Sequence, residues 1–458
     1  MQINTDIFKA YDIRGLYPAE IHEDLARLIG RGFAAYLQAG CIAVSRDMRV
    51  SSPALAAAFI DGVRAQGTDV IDYGMLGTDM LYFAVVRDGV GGGAQITASH
   101  NPKEYNGIKL VRAGALPLSG DAGIGDIRDM IVNDRLPAPA PRRGSLSARE
   151  VTADYVEKVM SFIDPSVIKP FSVVLDAGHG MAGLVAPALF ARLPCRVTPL
   201  CFQIDGTFPN HEANPLIEEN RRDITAEVVR QKADVGIAWD GDADRCFFID
   251  GTGEFIAGDF VTALLAEAFL LKHPGATVIY DLRASHAVRD IVARYGGRAL
   301  RNRVGHAFIK RRMRDEDGIF AGEVTGHYYF RDFYYADNGL IPALLILELM
   351  SKKNQSLRDL LQPFRERYFI SGEINTTLAT MADVPEKLAA IEARFADASI
   401  DRMDGVSVEY PDWHFNVRPS NTEPLLRLNL EAASPELMAR RRDEVLALIR
   451  GQGEGDRG

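Results

Sequence analysis

Apolar and polar positions follow one repeating order along this chain: a short apolar strand, a polar turn with an aspartate, and then a helix. Three examples are found, at residues 42–44, Asp47 and 53–66; at residues 173–175, Asp176 and 184–192; and at residues 278–280, Asp281 and 286–295. Strands that alternate with helices predict βαβ units and largely parallel sheets. We therefore expect three similar α/β domains in series, each with its ligand edge where the strands end.

The end of the chain has a different pattern. Strands are predicted at residues 406–410 and 425–430, and helices at residues 385–395 and 435–450. This mixture predicts a smaller α+β domain. A linker rich in proline and charge runs from Leu136 to Gly144. The predicted fold class is α/β, with three similar domains of mixed sheets and a fourth, C-terminal α+β domain. The predicted domains are residues 1–140, 150–252, 253–366 and 370–450.

Composition narrows the possible functions. The chain has 458 residues, 47% of them hydrophobic, and a formal net charge of −10. This length requires several cores, and this charge argues against nucleic-acid binding and against anionic membranes. No apolar run approaches the ~18 residues of a membrane span, and the four cysteines show no metal-binding spacing. We expect a cytoplasmic enzyme that does not bind membranes.

Three alternating aspartates carry the strongest chemical signal. Asp240, Asp242 and Asp244 follow the apolar run 235–239, and Arg245 completes the motif. Clustered carboxylates repel one another without a cation, and hard oxygen ligands suit Mg²⁺. We favour a metal site over a plain polar turn. An EF-hand is excluded, because Arg245 and Gly251 stand where that loop needs glycine and glutamate. A phosphatase with Asp240 as its nucleophile remains an alternative.

A serine among small residues is the second signal, in Thr97-Ala98-Ser99-His100-Asn101-Pro102. Ser99 could carry a phosphoryl group, but a serine hydroxyl needs help from a base, a cation or a metal. His100 and Lys109 lie close along the chain. The other interpretation, equally weighted, is a serine that caps a helix N-terminus.

Two further motifs suggest phosphate and sugar binding. Arg418-Pro419-Ser420-Asn421-Thr422 gathers a guanidinium, two hydroxyls and an amide in one turn, as a phosphate cradle does. Alternation in an extended strand would place Glu323, Thr325 and His327 on one side, where a carboxylate and a hydroxyl could hold neighbouring sugar hydroxyls. The plain alternatives are a proline-bounded turn and a polar strand edge.

A glycine-rich segment does not change this picture. Gly178-His179-Gly180-Met181-Ala182-Gly183 fits a dinucleotide fingerprint, but the next strand lacks the acidic residue that such a site needs. We predict a structural turn there.

Taken together and in this order, the four motifs resemble those of the α-D-phosphohexomutase superfamily, and most closely its bacterial phosphomannomutase/phosphoglucomutase group. The resemblance covers nearly the whole chain, from residues 8–15 to residues 429–431. It implies four domains around a central cleft. It also implies a reaction that moves a phosphoryl group between O1 and O6 of a hexose, through a phosphoserine and a hexose 1,6-bisphosphate intermediate.

The resemblance also implies roles for individual residues. Ser99 resembles the phosphoserine, and Asp240, Asp242 and Asp244 resemble the ligands of one Mg²⁺ per chain, completed by the serine phosphate. Arg245 would steady the transferring group, and Lys109 is the leading general base, with His327 or His100 as alternatives. The expected substrate-binding residues are Tyr11, Arg14, Arg283, His306, Glu323, Thr325, Arg418, Ser420, Asn421 and Thr422.

Several positions depart from the usual pattern of this family. Thr325 stands where serine is more usual, Pro419 where alanine or serine is, and Arg283 where many relatives carry lysine. Val324 argues against an amino-sugar substrate, because phosphoglucosamine mutases tend to carry glutamine there.

We expect a phosphomannomutase of GDP-mannose synthesis, a monomer or homodimer, with mannose and glucose phosphates as substrates. A phosphoglucomutase, or a non-catalytic sugar-phosphate-binding regulator, is the alternative.

Overall fold

The computed structural model of the protein describes residues 3–120, 122–420 and 424–451. Up to residue 250 the elements are β1 (Ile13–Leu16), α1 (Glu23–Leu37), β2 (Cys41–Arg46), α2 (Ser52–Ala65), β3 (Asp69–Met75), α3 (Thr78–Arg87), β4 (Gly92–Ile96), β5 (Tyr105–Arg112), β6 (Leu116–Pro117), α4 (Ile124–Val132), β7 (Leu146–Ala148), α5 (Thr152–Met160), β8 (Ser172–Asp176), α6 (Ala182–Phe190), β9 (Arg196–Leu200), α7 (Arg222–Gln231), β10 (Val235–Trp239) and β11 (Cys246–Asp250).

The remaining elements follow the same alternation before the C-terminal sheet begins. They are α8 (Gly258–Lys272), β12 (Thr277–Asp281), α9 (His286–Arg294), β13 (Arg298–Asn302), α10 (His306–Asp315), β14 (Phe320–Gly322), β15 (Tyr328–Phe330), β16 (Ala336–Asp337), α11 (Leu340–Lys353), α12 (Leu357–Arg365), β17 (Phe369–Thr377), α13 (Val384–Arg394), β18 (Ser399–Asp401), β19 (Val406–Glu409), β20 (Trp413–Pro419), β21 (Leu425–Ala432) and α14 (Pro435–Arg450). The three predicted strand–aspartate–helix beginnings are confirmed as β2 with α2, β8 with α6, and β12 with α9.

The chain forms two compact units. Residues 1–256, 305–320 and 325–357 make the first unit, and residues 257–304, 321–324 and 358–458 make the second. None of the helices in the described ranges is long and apolar enough to cross a membrane.

A seven-stranded mixed sheet begins the first unit, with the order β1-β5-β4-β2-β3-β7 and β6 beside β5. β2 runs parallel to β3 and β4, whereas β5 is antiparallel to β1 and β4. Helices α1 and α2 cross so closely that a Cβ on Gly30 would lie 2.2 Å from the Phe59 carbonyl oxygen. After the predicted linker, β7 pairs with β3 and extends this sheet.

A four-stranded sheet follows in the same unit, with the order β11-β10-β8-β9. β8 is parallel to β9 and β10, and β10 is antiparallel to β11. Every residue of β10 is buried, which explains its unbroken apolar sequence. The loop that joins β10 to β11 contains the three alternating aspartates.

The second unit contains the parallel pair β12–β13 and an antiparallel sheet of order β17-β21-β20-β19-β18. Strict alternation gives this sheet one apolar face, which packs with α13 and α14 around Phe415, Val417 and Leu428. The opposite face of β20 and β21 is polar. It carries His414, Asn416 and Arg418 on β20, and Arg427, Asn429 and Glu431 on β21.

One local prediction is wrong. Residues 323–327 do not form an extended strand, because the chain turns over residues 324–326 between β14 and β15. Gly326 has φ +87°, a left-handed conformation that breaks an alternating strand. Alternation over five residues was too short a pattern to distinguish a strand from a turn.

Candidate active site

The three alternating aspartates form a buried acidic cluster at the end of the β10–β11 hairpin. Asp240, Asp242 and Asp244 are at most 1% exposed, and one oxygen from each lies within 4.8 Å of the others. Within the described residues, Oδ1 of Asp242 is buried without a hydrogen-bond partner. An all-oxygen donor set with an unpartnered buried carboxylate oxygen fits Mg²⁺.

Ser99 lies against this cluster. It is 1% exposed and has φ +51°, an uncommon conformation for serine. Its hydroxyl donates to Oδ2 of Asp240 at 2.8 Å and lies 3.2 Å from Nδ1 of His100. The segment from the end of β4 to the first residue of β5, residues 97–105, which we call the serine loop, contacts the loop between β10 and β11 at Gly241. A Cβ on Gly241 would lie 2.6 Å from the Ser99 carbonyl oxygen. No helix begins at Ser99, so the helix-cap interpretation is wrong.

Lys109 on β5 is the cation nearest to the acidic cluster. Its ammonium donates to Asp242 at 2.7 Å and to Asp244 at 2.5 Å. Burial lowers the pKa of Lys109, but the two carboxylates raise it more, so the pKa lies well above its ordinary value. A protonated ammonium has no lone pair, so Lys109 could accept a proton only after another cation neutralises these carboxylates.

Two histidines and an arginine complete this group. Arg245 donates from its backbone to Asp240 at 3.1 Å and from Nε to the His327 Nε2 at 3.2 Å. His327 Nε2 also lies 3.4 Å from Asp244. Burial, followed by the charges of Arg245 and Arg14, lowers the pKa of His100 well below its ordinary value. His100 is therefore neutral at neutral pH, and the same shift makes its ring a weak base.

The carboxylates of the cluster differ in their affinity for protons. Burial, with the charges of Asp244 and Asp242, raises the pKa of Asp240 to about 7. Burial also raises the pKa of Asp244, but Lys109 and His327 reverse this effect and hold it well below its ordinary value. Near neutral pH a cation at this site must therefore compete with a proton on Asp240.

Three predicted substrate-binding residues belong to the same unit. The guanidinium of Arg14 donates to Asn101 Oδ1 at 2.6 Å, in the serine loop, and also pairs with Asp12. The rings of Tyr11 and His306 make an edge contact with centroids 5.4 Å apart.

Arg283 and Arg418 lie together in the second unit. Arg283 donates to both oxygens of Asp281 and also to Glu373 at 3.0 Å. A guanidinium nitrogen of Arg418 lies 3.7 Å from the same Glu373 carboxylate. Arg427, directly opposite Arg418 on β21, donates to Glu373 at 3.1 Å. Three guanidiniums therefore surround one carboxylate.

The remaining predicted residues lie beside strand ends and in turns. Glu323, at the end of β14, is 3% exposed, and Thr325 lies in the turn that follows. Ser420 is buried at the end of β20, and its backbone N–H donates to the Leu425 carbonyl. Asn421 and Thr422 lie outside the described residues.

The glycine-rich segment at residues 178–183, predicted to be a structural turn, is a turn followed by the start of α6. His179 in this turn has a positive φ.

Four residues that bear on these sites are not evident from the sequence. Arg49 donates to the carbonyl oxygens of four residues of the serine loop, namely Ser99, Asn101, Pro102 and Tyr105. Thr78 donates its hydroxyl to Asp242. Glu373 and Arg427 extend the group around Arg418. Of these four, only Arg427 could have been found from the sequence, because it lies a few residues after the phosphate motif 418–422. Arg49, Thr78 and Glu373 are far along the chain from the residues that they contact.

Comparison with known proteins places this geometry in a family. The alpha/beta/alpha domains I, II and III of phosphoglucomutase/phosphomannomutase match residues 5–135, 153–253 and 257–368, and the C-terminal domain matches residues 373–448. The chain belongs to the phosphoglucomutase/phosphomannomutase family. It is an enzyme of the phosphohexomutase type, an isomerase, with four domains.

Individual members of the phosphoglucomutase/phosphomannomutase family match over nearly their full length. A phosphomannomutase of Escherichia coli is 46% identical over 454 residues, which cover 97% of this chain and 99% of that protein. Phosphohexose mutases of Xanthomonas campestris pv. campestris (strain B100) are 45% identical over 448 residues, with coverage of 97% and 99%. The crystal structure of a family protein from Burkholderia thailandensis is 34% identical, covers 99% of each chain, and has a TM-score of 0.89.

Proposed function

We propose that the protein is a phosphomannomutase that interconverts mannose 6-phosphate and mannose 1-phosphate, with phosphoglucomutase activity alongside. The observation that carries this proposal is the 2.8 Å hydrogen bond from Ser99 to Asp240, because it joins a buried serine to an acidic, metal-suited cluster. Full-length relatives named phosphomannomutase and phosphohexose mutases support the substrate class.

The reaction consists of two phosphoryl transfers. In the first, the free hydroxyl of the hexose phosphate attacks phosphorylated Ser99, so that a new sugar O–P bond forms while the Oγ–P bond breaks. The hydroxyl proton passes to a base, and the product is a hexose 1,6-bisphosphate. After this intermediate turns over, Ser99 Oγ attacks the other phosphate, and the departing sugar oxygen takes up a proton.

The reacting end needs charge neutralisation more than covalent help from the protein. Asp240, Asp242 and Asp244, with an oxygen of Ser99 or its phosphate, would hold one Mg²⁺ per chain. When bound, Mg²⁺ neutralises charge on the phosphoryl group and on the serine oxygen. Arg245, which already contacts Asp240, adds a fixed positive charge there.

Three side chains are candidates for the base that accepts the proton of the attacking sugar hydroxyl. Lys109 is the leading base, provided that a cation at the aspartates frees it from Asp242 and Asp244. His100 is neutral and lies 3.2 Å from the Ser99 hydroxyl, and His327 contacts both Arg245 and Asp244. These two histidines remain the acid/base alternatives.

The non-reacting phosphate is proposed to bind at Arg418 and Ser420, together with Asn421 and Thr422 and with Arg283 nearby. Tight binding of that phosphate orients the reacting oxygen at the other end of the sugar. Binding energy from the non-reacting end thereby lowers the barrier to phosphoryl transfer. Glu323 and Thr325 are proposed to bind the sugar O3 and O4. Tyr11, Arg14 and His306 are proposed to contact the substrate as well.

The test compares kcat/KM for mannose 1-phosphate and glucose 1-phosphate, with Mg²⁺ and a trace of the bisphosphate. Measurable turnover of mannose 1-phosphate supports the proposal, and a strong preference for glucose 1-phosphate replaces it with a phosphoglucomutase. Ser99→Ala should lower kcat by at least about 1,000-fold, because it removes the group that carries the phosphoryl. The control is Ser147→Ala on the exposed strand β7, which should retain activity.

Two other functions predict different results. A phosphatase that uses Asp240 as its nucleophile would keep activity in Ser99→Ala and lose it in Asp240→Ala. A non-catalytic regulator would bind hexose phosphates without turnover, and its Ser99 would not be phosphorylated by the bisphosphate. A gain of one phosphoryl group in intact mass after incubation with hexose 1,6-bisphosphate, absent in Ser99→Ala, identifies the mutase, and turnover separates the phosphatase from the regulator.

A further inference from the structure

Glu373 on β17 is surrounded by positive charge. Its carboxylate lies 3.0 Å from Arg283, 3.1 Å from Arg427 and 3.7 Å from Arg418. The side chain is 24% exposed. Arg283 also has its own partner, Asp281, whereas within the described residues the carboxylate that Arg418 and Arg427 contact is that of Glu373. Glu373 is therefore the acid that these two arginines share.

The strand register produces this arrangement. Arg418 and Arg427 are directly opposite each other on β20 and β21, where two like charges are destabilising. Glu373 lies opposite Asn429 on the neighbouring strand β17, and so points to the same polar face. One carboxylate thus reduces the repulsion between two arginines that the sheet holds together.

The balance of charge and hydrogen bonding is incomplete without another anion. Three guanidiniums face two carboxylates, Asp281 and Glu373, which leaves an excess of one positive charge. In the described part of the chain, Nε of Arg418, Nε of Arg427 and Nδ2 of Asn429 are buried donors without acceptors. A phosphate anion supplies negative charge and several acceptor oxygens, and so meets both needs.

We propose that Glu373 is a built-in competitor for the substrate's non-reacting phosphate: it pairs with Arg418 and Arg427 in the free enzyme, gives way to the phosphate, and returns when the phosphate leaves. This inference rests on the proposed function, and it deepens that function by assigning a residue that sets how tightly the phosphate is held. The carboxylate and the phosphate repel each other and compete for the same donors, so they cannot both be fully paired with these arginines.

Such a competitor serves a mutase in particular. The proposed cycle requires the phosphate site to hold one phosphate of the bisphosphate, release it, and then hold the other. Without Glu373, Arg418 and Arg427 would have no carboxylate partner among these groups, and the site would bind the intermediate too tightly for rapid exchange. Glu373 stabilises the site between the two bound states and therefore speeds release at some expense of affinity.

The test is Glu373→Gln, which keeps the shape of the side chain and removes its charge. We expect the Kd for inorganic phosphate to fall about tenfold, as losing one charge beside a shared anion site predicts. With mannose 1-phosphate, KM should fall and kcat should also fall, because release becomes slow. The ligand-free variant should melt at a lower temperature, and phosphate should raise its Tm more than it raises that of the wild type.

Two further variants make the result specific. Glu409→Gln removes a carboxylate that pairs with His286 and Arg289, not with the phosphate arginines, and so should leave phosphate affinity unchanged. In the double variant Glu373→Gln/Arg418→Ala, the gain in affinity should disappear. An equal gain in Glu409→Gln would show a general charge effect and overturn the proposal.

The outcome is independent of whether the mutase assignment is right. Phosphate affinity is measured without turnover, so a wild type that binds phosphate but does not isomerise hexose phosphates contradicts the proposed function alone. If Glu373→Gln binds phosphate as weakly as the wild type, or more weakly, Glu373 is only a structural partner of the arginines and the competitor proposal is wrong.

Discussion

Thr78 donates its side-chain hydroxyl to the Asp242 carboxylate, and its backbone N–H donates to the Asp242 carbonyl oxygen at 3.0 Å. These two residues are 164 positions apart. The first residue of α3 therefore holds the middle aspartate of the acidic cluster in place. Outer partners of this kind orient metal ligands and contribute to metal affinity.

Thr78→Val should weaken Mg²⁺ binding by about 10-fold or more, because outer partners of metal ligands typically contribute 10- to 100-fold. Thr78→Ser keeps the hydroxyl and is the matched control. Isothermal titration of both variants with Mg²⁺ measures the effect. Equal affinities in the valine and serine variants would show that Asp242 does not need this hydrogen bond.

Arg49→Lys should lower kcat by about 10- to 100-fold with little change in KM, since a small misplacement of a reacting group costs about this much. The buried guanidinium holds four carbonyl oxygens of the serine loop, and an ammonium cannot reach all four. The readouts are steady-state kinetics and the rate of Ser99 phosphorylation by the bisphosphate.

A matched control for this clamp is Arg64→Lys. Arg64 donates from Nε to one carbonyl, that of Gly144, and lies away from the serine loop. It should keep its activity. A loss of the same size in both variants would mean that the effect of Arg49 is general destabilisation.

Mg²⁺ affinity should fall as pH decreases below about 7. The pKa of Asp240 is raised to about 7 by burial and by the neighbouring aspartates, so below this pH the folded protein carries a proton that the cation must displace. The apparent affinity should drop by up to about tenfold per pH unit. Titrations at about pH 6 and about pH 8 measure it, and equal affinities would contradict the prediction.

The same pKa shift has an effect on stability without Mg²⁺. A carboxyl whose pKa is raised on folding binds more protons in the folded state between its ordinary pKa and about 7. Its contribution therefore favours the folded protein at the acidic end of this window and diminishes as pH rises through it. Asp240→Asn should remove this contribution.

Asn338→Ala should lower the free energy of unfolding by about 3 kcal/mol or more, because it leaves several buried groups unpaired. Asn338 is fully buried and accepts from the backbone N–H groups of Leu340 and Ile341, while its amide donates to Asp79 and Tyr155. Urea unfolding measures the change. The exposed control Asn133→Ala should change stability by no more than about 0.5 kcal/mol.

Local patterns predicted much of the fold. The apolar run 235–239 and the residues after Arg245 became β10 and β11, and the helix predicted at residues 435–450 has those bounds in the structure. Such predictions succeed because the spacing of buried side chains within one element depends on neighbours along the chain. The predicted strand at residues 323–327 failed because Gly326 reverses the chain within five residues.

The sequence by itself determined which elements form, and which residue types carry the chemistry: the serine, the three aspartates and the arginine-rich turn. Only the tertiary structure decided which of them touch. Ser99 and Asp240 are 141 positions apart, and Thr78 and Asp242 are 164 apart. Glu373 meets Arg283 and Arg427 from 90 and 54 positions away. Side-chain periodicity is a local property, whereas these contacts depend on strand order, register and the crossing of loops, which no short segment encodes.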